Sequence, residues 1–184
     1  EYFTHNAGSP NGAIEGGIAI FAGGNESAAA AGFPGAAEGY VSVAATAADF
    51  TPAVYTNYGP GTTISAPGGD QDYYYEYRSE GGKYGDEGCI LSTVPFHVSE
   101  SGYAYMEGTS MACPHVSGVV ALGISYAKKL GMTLTREEMT SLLLTSVNDL
   151  DQYTKGTQYY GNMGTGAVDA WKFLMAIEGT PSFM

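Results

Sequence analysis

Three short apolar runs mark the first third of the chain: residues 17–24 (GIAIFAGG, bounded by glycines), 40–46 (YVSVAAT) and 62–66 (TTISA). Runs that are continuously apolar, rather than alternating, predict strands buried on both faces, a pattern common in parallel sheets. Residues 90–95, ILSTVP, read as a further strand. Residues 109–127, TSMACPHVSGVVALGISYA, are apolar almost all round and rich in small side chains, which predicts a helix buried on every side. Its polar start and its Lys128–Lys129 end suit the helix dipole. Pro114 falls in the first turn or just after it, where a missing N–H costs least. Thr135 with Glu138 three residues on forms a capping box that opens a second helix through MTSLLLTSV. A third helix is predicted from about Val168 to Glu178, closed by Gly179. Residues 1–12 read as a helix end running into a Gly/Pro/Asn loop. The implied class is α/β: a parallel sheet with helices on both faces, all within one domain over residues 1–184.

Residues 69–88, GDQDYYYEYRSEGGKYGDEG, carry neither a period of 2 nor one of 3.6. They predict a long surface loop. Tyr73, Tyr74, Tyr75 and Tyr77 are too many aromatics for a purely solvated segment, so some are expected to pack on the body of the protein, near the rim of a cleft.

Composition narrows the function classes. The chain has 184 residues, 44% hydrophobic and 14% charged, which excludes a disordered polymer and allows a real core. A net charge of −12 argues against nucleic acid as a partner, because holding phosphates needs Lys and Arg. No stretch is long and apolar enough to span a membrane, and no signal-peptide pattern opens the chain. Cys89 and Cys113 could pair or remain free; spacing does not decide.

A lone Ser at a helix start is most often an N-cap. The setting of Ser110 is more specific. GTSMACPHVSG (108–118) puts it at the head of a small-residue helix, where free N–H groups and the dipole favour developing negative charge. Upstream, FAGGNES (21–27) places Asn25 just after an apolar strand.

At these residues the chain resembles the subtilisin-like serine peptidases, or subtilases, whose serine motif is close to GTSMAxPHVxG and whose AAGN segment supplies an oxyanion-hole Asn. GFPGAAEGYVSVAATA (32–47), NYGPGTTISAPG (57–68), ILSTVP, YMEGTSM (105–111) and GTGAVDAWKFL (164–174) follow in the family's order, so the likeness covers nearly the whole chain outside residues 69–88. The resemblance implies Ser110 as nucleophile, Asn25 as oxyanion donor together with the Ser110 N–H, and Gly23 and Gly24 as walls of the pocket for the residue before the scissile bond. It also implies a catalytic Asp and His well ahead of the oxyanion Asn. Only 24 residues precede Asn25, and none carries such a motif. His5, His97 and His115 do not occupy the family's base position. The chain is therefore expected to be the C-terminal part of a subtilase catalytic domain.

On this reading the function is that of a serine endopeptidase acting through an acyl-enzyme, with a peptide or protein substrate and no cofactor. The isolated chain is expected to be inactive, and to pair with the missing N-terminal part or with a copy of itself. The alternative is a non-catalytic subtilase-fold fragment that binds or supports. The related serine-carboxyl peptidases use an Asp where this chain has Asn25. The resemblance implies a secreted or cell-surface location. It allows structural calcium in the complete domain, with no ligands assignable here; the acidic residues of 69–88 do not match an EF-hand spacing.

Overall fold

The computed structural model describes residues 2–8, 11–71 and 85–179. Its strands are β1 (Ile14–Glu15), β2 (Ile20–Ala22), β3 (Val41–Thr46), β4 (Ile64–Pro67), β5 (Ile90–Thr93), β6 (Tyr103–Met106), β7 (Leu134–Thr135), β8 (Val147–Asn148) and β9 (Ala167–Val168). Its helices are α1 (Tyr2–Asn6), α2 (Thr109–Lys129), α3 (Arg136–Thr145), α4 (Asp151–Thr154) and α5 (Ala170–Glu178), with a 3-10 turn at Asp86–Gly88.

The central sheet has the order β2-β3-β4-β9-β8. β2, β3, β4 and β9 are parallel neighbours; β8 joins antiparallel. The sheet is thus mixed at one end rather than wholly parallel. β8 and β9 are two residues long, too short to leave a periodic signal. Val168 belongs to β9 and not to the last helix, which starts at Ala170 behind the N-cap Asp169. The capping box at Thr135 and Glu138 is present as predicted.

β3 is buried at every position, because it is covered on both sides. Val41, Val43 and Ala45 join the main core with Val116 and Val120 of α2, Leu143 of α3 and Phe173 of α5. Ala44 points the other way, into a smaller cluster with Leu150, Met163 and Ala167, as the two-residue period of a strand requires. That second face is covered by loop residues and the single turn of α4. Phe173 is fully buried against α2 because residue 123 is glycine: a Cβ there would stand 2.3 Å from its ring.

α2 departs from the expectation of burial on every side. Its buried positions, Thr109, Ala112, Val116, Val120, Gly123 and Ala127, recur every three or four residues and form one stripe. The opposite side is open: Leu122 is 48% exposed and nothing lies within 4 Å of the Cβ position of Gly118. The free side of β2 likewise has no strand beside it among the described residues. None of the described helices is long and apolar enough to cross a membrane.

The predicted tyrosine packing of Tyr73, Tyr74, Tyr75 and Tyr77 lies outside the described residues. The two ends of that insertion are described and meet: the Asp70 N–H donates to the Gly88 carbonyl at 3.0 Å. The Gln71 N–H donates to the carboxylate of Glu107, three residues before Ser110. The neck of the insertion is therefore tied to the loop that leads into α2.

Candidate active site

Ser110 is the second residue of α2 and is exposed. Gly108 precedes the helix at φ 145° and ψ 160°, a conformation open to glycine and strained for other residues. The approach loop is clamped from beneath. The Gly108 N–H donates to the Gly68 carbonyl at 3.0 Å and to the Tyr55 hydroxyl at 2.8 Å. Tyr55 in turn donates to the Gly69 carbonyl. Burial holds the Tyr55 phenol far above its ordinary range, helped by the Glu107 and Asp70 carboxylates, so the proton it donates is retained at any physiological pH.

Asn25 reaches the same place from the sheet. β2 ends with the Gly23 N–H bonded to the Val43 carbonyl at 2.9 Å. The chain then turns through Gly24 at φ 109° and lays Asn25 over the head of α2. Asn25 Oδ1 accepts both the N–H and the hydroxyl of Thr109, each at 2.8 Å. The Thr109 hydroxyl also accepts the Gly24 N–H at 3.2 Å. With its oxygen fixed on Thr109, the Asn25 amide turns its NH2 toward the glycine at 108. The point a Cβ on Gly108 would fill lies 3.4 Å from Asn25 Nδ2 and 3.7 Å from the Ser110 backbone N. Among the described residues, neither of these N–H donors meets an acceptor. Two donors without an acceptor therefore lie within 4 Å of one volume beside Ser110, which Met111 Sδ also borders at 3.7 Å, at the positive end of a long helix. Such a volume suits an oxygen that gains negative charge.

A cavity of about 290 Å³ adjoins Ser110, lined by Ile90, Leu91 and Ser92 of β5 and by Met111, Pro114 and His115 of α2. His115 does not engage Ser110: its Nδ1 lies 2.8 Å from the Met111 carbonyl of its own helix. No hydrogen bond joins the Ser110 hydroxyl to a histidine or carboxylate among the described residues. His5 sits instead in a separate cavity with Glu15 and Arg136, and His97 is exposed beyond β5. Gly23 is buried at the end of β2, and Gly24 packs against Asn57 and Thr109. Neither lines the cavity next to Ser110.

Both cysteines are free thiols. Cys89 is pushed up to about 11 by burial and then by the Glu107 carboxylate, and Cys113 is raised by burial. Both shifts favour the neutral thiol over the thiolate.

Sequence reading missed the residues that hold this geometry. Thr109 stands inside the serine motif, but only its neighbour carries an obvious chemical role. Nothing in the sequence singles out Tyr55, and Asn57 opens the run NYGPGTTISAPG without a role of its own. Asn57 is 3% exposed; a buried Asn is a signal, but burial is visible only once the fold is known.

The family model described as the Subtilase family matches residues 4–163. An extracellular basic protease of Dichelobacter nodosus is 32% identical over 169 residues, covering 89% of this chain and 24% of that protein. An extracellular protease of Xanthomonas campestris pv. campestris is 32% identical over 165 residues, covering 87% and 24%. Among solved structures, a protease of Pseudoalteromonas arctica aligns with a TM-score of 0.66 at 30% identity, over 87% of this chain and 42% of that one. The prenylagaramide maturation protease PagA shares the fold, with a TM-score of 0.68 at 23% identity over 88% and 51%. The chain thus spans 24% of the length of those two relatives and 42–51% of those two solved chains.

Proposed function

Because the chain belongs to the subtilase family, we propose that it carries the nucleophile and oxyanion side of a serine endopeptidase site. Ser110 attacks the scissile carbonyl of a peptide or protein. A base from outside the described residues takes its proton, and an ester to Ser110 forms as the amine leaves. Water then releases the acyl group by the same steps. The carbonyl oxygen becomes an oxyanion in each tetrahedral intermediate. Asn25 Nδ2 and the Ser110 N–H receive it in the volume above Gly108. The observation that carries this reading is the convergence of the two unpartnered donors beside Ser110. Their fixed orientation matters, because donors that need not reorganise stabilise the transition state more than the ground state.

The open edge of β2 and the uncovered side of α2 are where further polypeptide completes the site, either another segment of the same gene product or a copy of this chain. Two relatives are named as extracellular, and secretion is the location that fits this reading.

One observation favours a second reading, a subtilase-fold module that binds without cleaving: Ser110 has no base against it among the described residues. Hydrolysis of a fluorogenic peptide by the intact gene product separates the two. Turnover that Ser110→Ala lowers by roughly a thousandfold or more is the enzyme result. Absence of turnover in the intact protein, with peptide still bound, is the result for the binding module.

A further inference from the structure

The turn that bears Asn25 is held by a side chain that bonds to neither Asn25 nor Ser110. Asn57 lies between β3 and β4 and is 3% exposed. Its Oδ1 accepts the Glu26 N–H at 3.0 Å and the Ala28 N–H at 2.9 Å. Its Nδ2 donates to the Gly23 carbonyl at 3.2 Å and to the Glu26 carboxylate at 2.8 Å. Its backbone N–H donates to the Gly24 carbonyl at 3.0 Å. Both hydrogens and both lone pairs of the side-chain amide are then used. The partners lie on either side of Asn25 in the chain, so one rigid group fixes where the turn enters and where it leaves.

The fit is specific to an asparagine. A Cβ on Gly24 would stand 2.2 Å from Asn57 Nδ2, so the amide lies directly against the turn. Aspartate lacks the donors for Gly23 and sets a second carboxylate against Glu26. Serine is too short to reach both ends of the turn. Glutamine adds a methylene that shifts the amide away from the partners it meets at 2.8–3.2 Å.

We propose that Asn57 is the positioning residue that aims Asn25 at the oxyanion volume. The proposal rests on the reading of Asn25 as an oxyanion donor. The route is short: Asn57 sets the path of Gly23, Gly24 and Glu26, that path sets Asn25, and Asn25 is read out by Thr109 at 2.8 Å.

Amide hydrogen exchange on this chain tests it without any need for catalysis, because the Thr109 N–H is protected by Asn25 Oδ1. In Asn57→Ala, the Thr109 amide is expected to exchange roughly tenfold faster or more. The sheet amides of Val41 and Ser65, bonded to Ala19 and Gly166, are expected to keep their protection. Unchanged Thr109 protection overturns the proposal. So does an equal loss at Thr109, Val41 and Ser65, which marks a general role in stability. Should the alanine variant fail to fold, Asn57→Asp is compared with Asn57→Asp combined with Glu26→Gln, which restores one hydrogen bond with its direction reversed. Higher Thr109 protection in the combined variant supports the proposal, and equal protection overturns it. In the intact gene product, Asn57→Ala is expected to lower kcat with KM unchanged, and to cost little more when Asn25 is already alanine. Independent, multiplying effects overturn it. If the intact protein cleaves nothing, the peptidase reading falls, and the exchange experiment still decides the role of Asn57.

Discussion

Asn25 Oδ1 takes both hydrogens that Thr109 offers, the backbone N–H and the hydroxyl, each at 2.8 Å. One amide thereby caps the nucleophile helix with its oxygen and points its NH2 at the space next to Ser110. On the proposed reading, capping and oxyanion binding are separate tasks of the two ends of that amide, and substitutions can separate them.

Asn25→Asp keeps the cap and removes the donor. A carboxylate at a helix N-terminus is favourable by about 0.3–1 kcal/mol. The same charge repels a developing oxyanion. Thermal unfolding of the variant is therefore expected to move slightly up, while acylation falls by at least the roughly 2.7–4 kcal/mol that deleting this donor costs in subtilisin. A variant that loses stability and rate together, or that keeps its rate, contradicts the division of tasks.

Gly108→Ala is expected to place a methyl group in the volume shared by Asn25 Nδ2 and the Ser110 N. The backbone there, at φ 145°, adds strain of about 1–3 kcal/mol. Steady-state kinetics should show kcat/KM falling by roughly a hundredfold or more, with circular dichroism still that of a folded chain. Retained activity would mean that the oxyanion does not occupy this space.

Asp169 gives a pH-dependent prediction at the head of α5. It caps α5 by accepting the Lys172 N–H at 2.9 Å, and it accepts the Asn148 amide at 3.0 Å. These bonds, with the Lys172 charge, hold its carboxyl below the ordinary aspartate value. A carboxyl lowered on folding stabilises the chain above its unfolded pKa, and that stabilisation is lost as the pH falls through the folded one. Asp169→Ala is expected to cost about 1 kcal/mol at neutral pH, the usual value of an N-cap. The gap between variant and parent should close below the aspartate range. Urea unfolding at neutral and at strongly acidic pH measures it, and a pH-independent gap would refute the assignment.

The open side of α2 and the free edge of β2 predict association. Leu122 is 48% exposed on a helix whose sequence is apolar all round, and an uncovered apolar strand edge invites pairing. Side chains of this kind are worth about 1.5–3 kcal/mol each when buried. Sedimentation of the 184-residue chain at micromolar concentration should show self-association, reduced by Leu122→Glu. A compact monomer that unfolds cooperatively would contradict this.

Much of this was legible in the sequence where the signal is local. Thr135 and Glu138 sit three apart and form the capping box they suggest, and the apolar runs at 17–24 and 40–46 contain the strands Ile20–Ala22 and Val41–Thr46. The failures share a physical cause. β8 and β9 are two residues long, and their pairing depends on partners about 20 and 100 residues away. The small residues of α2 read as burial on all sides, yet Gly118 faces open space; composition reports what a face tolerates, not what covers it. Asn57 gives no local signal because its partners at 23–28 are some 30 positions upstream. The motifs single out Ser110 and Asn25, whereas Thr109, which bonds to Asn25, and Asn57, which bonds to residues on either side of it, leave no such mark.

The most direct test of the account is covalent. The intact gene product is treated with a fluorophosphonate, and the adduct is mapped by peptide mass spectrometry. The account predicts one rapid adduct on Ser110, slowed by roughly 10²–10³ in Asn25→Ala, and only slow labelling in the 184-residue chain alone, where no base meets Ser110 among the described residues. An adduct on another residue, no adduct in the intact protein, or an Asn25→Ala rate equal to that of the parent would contradict it.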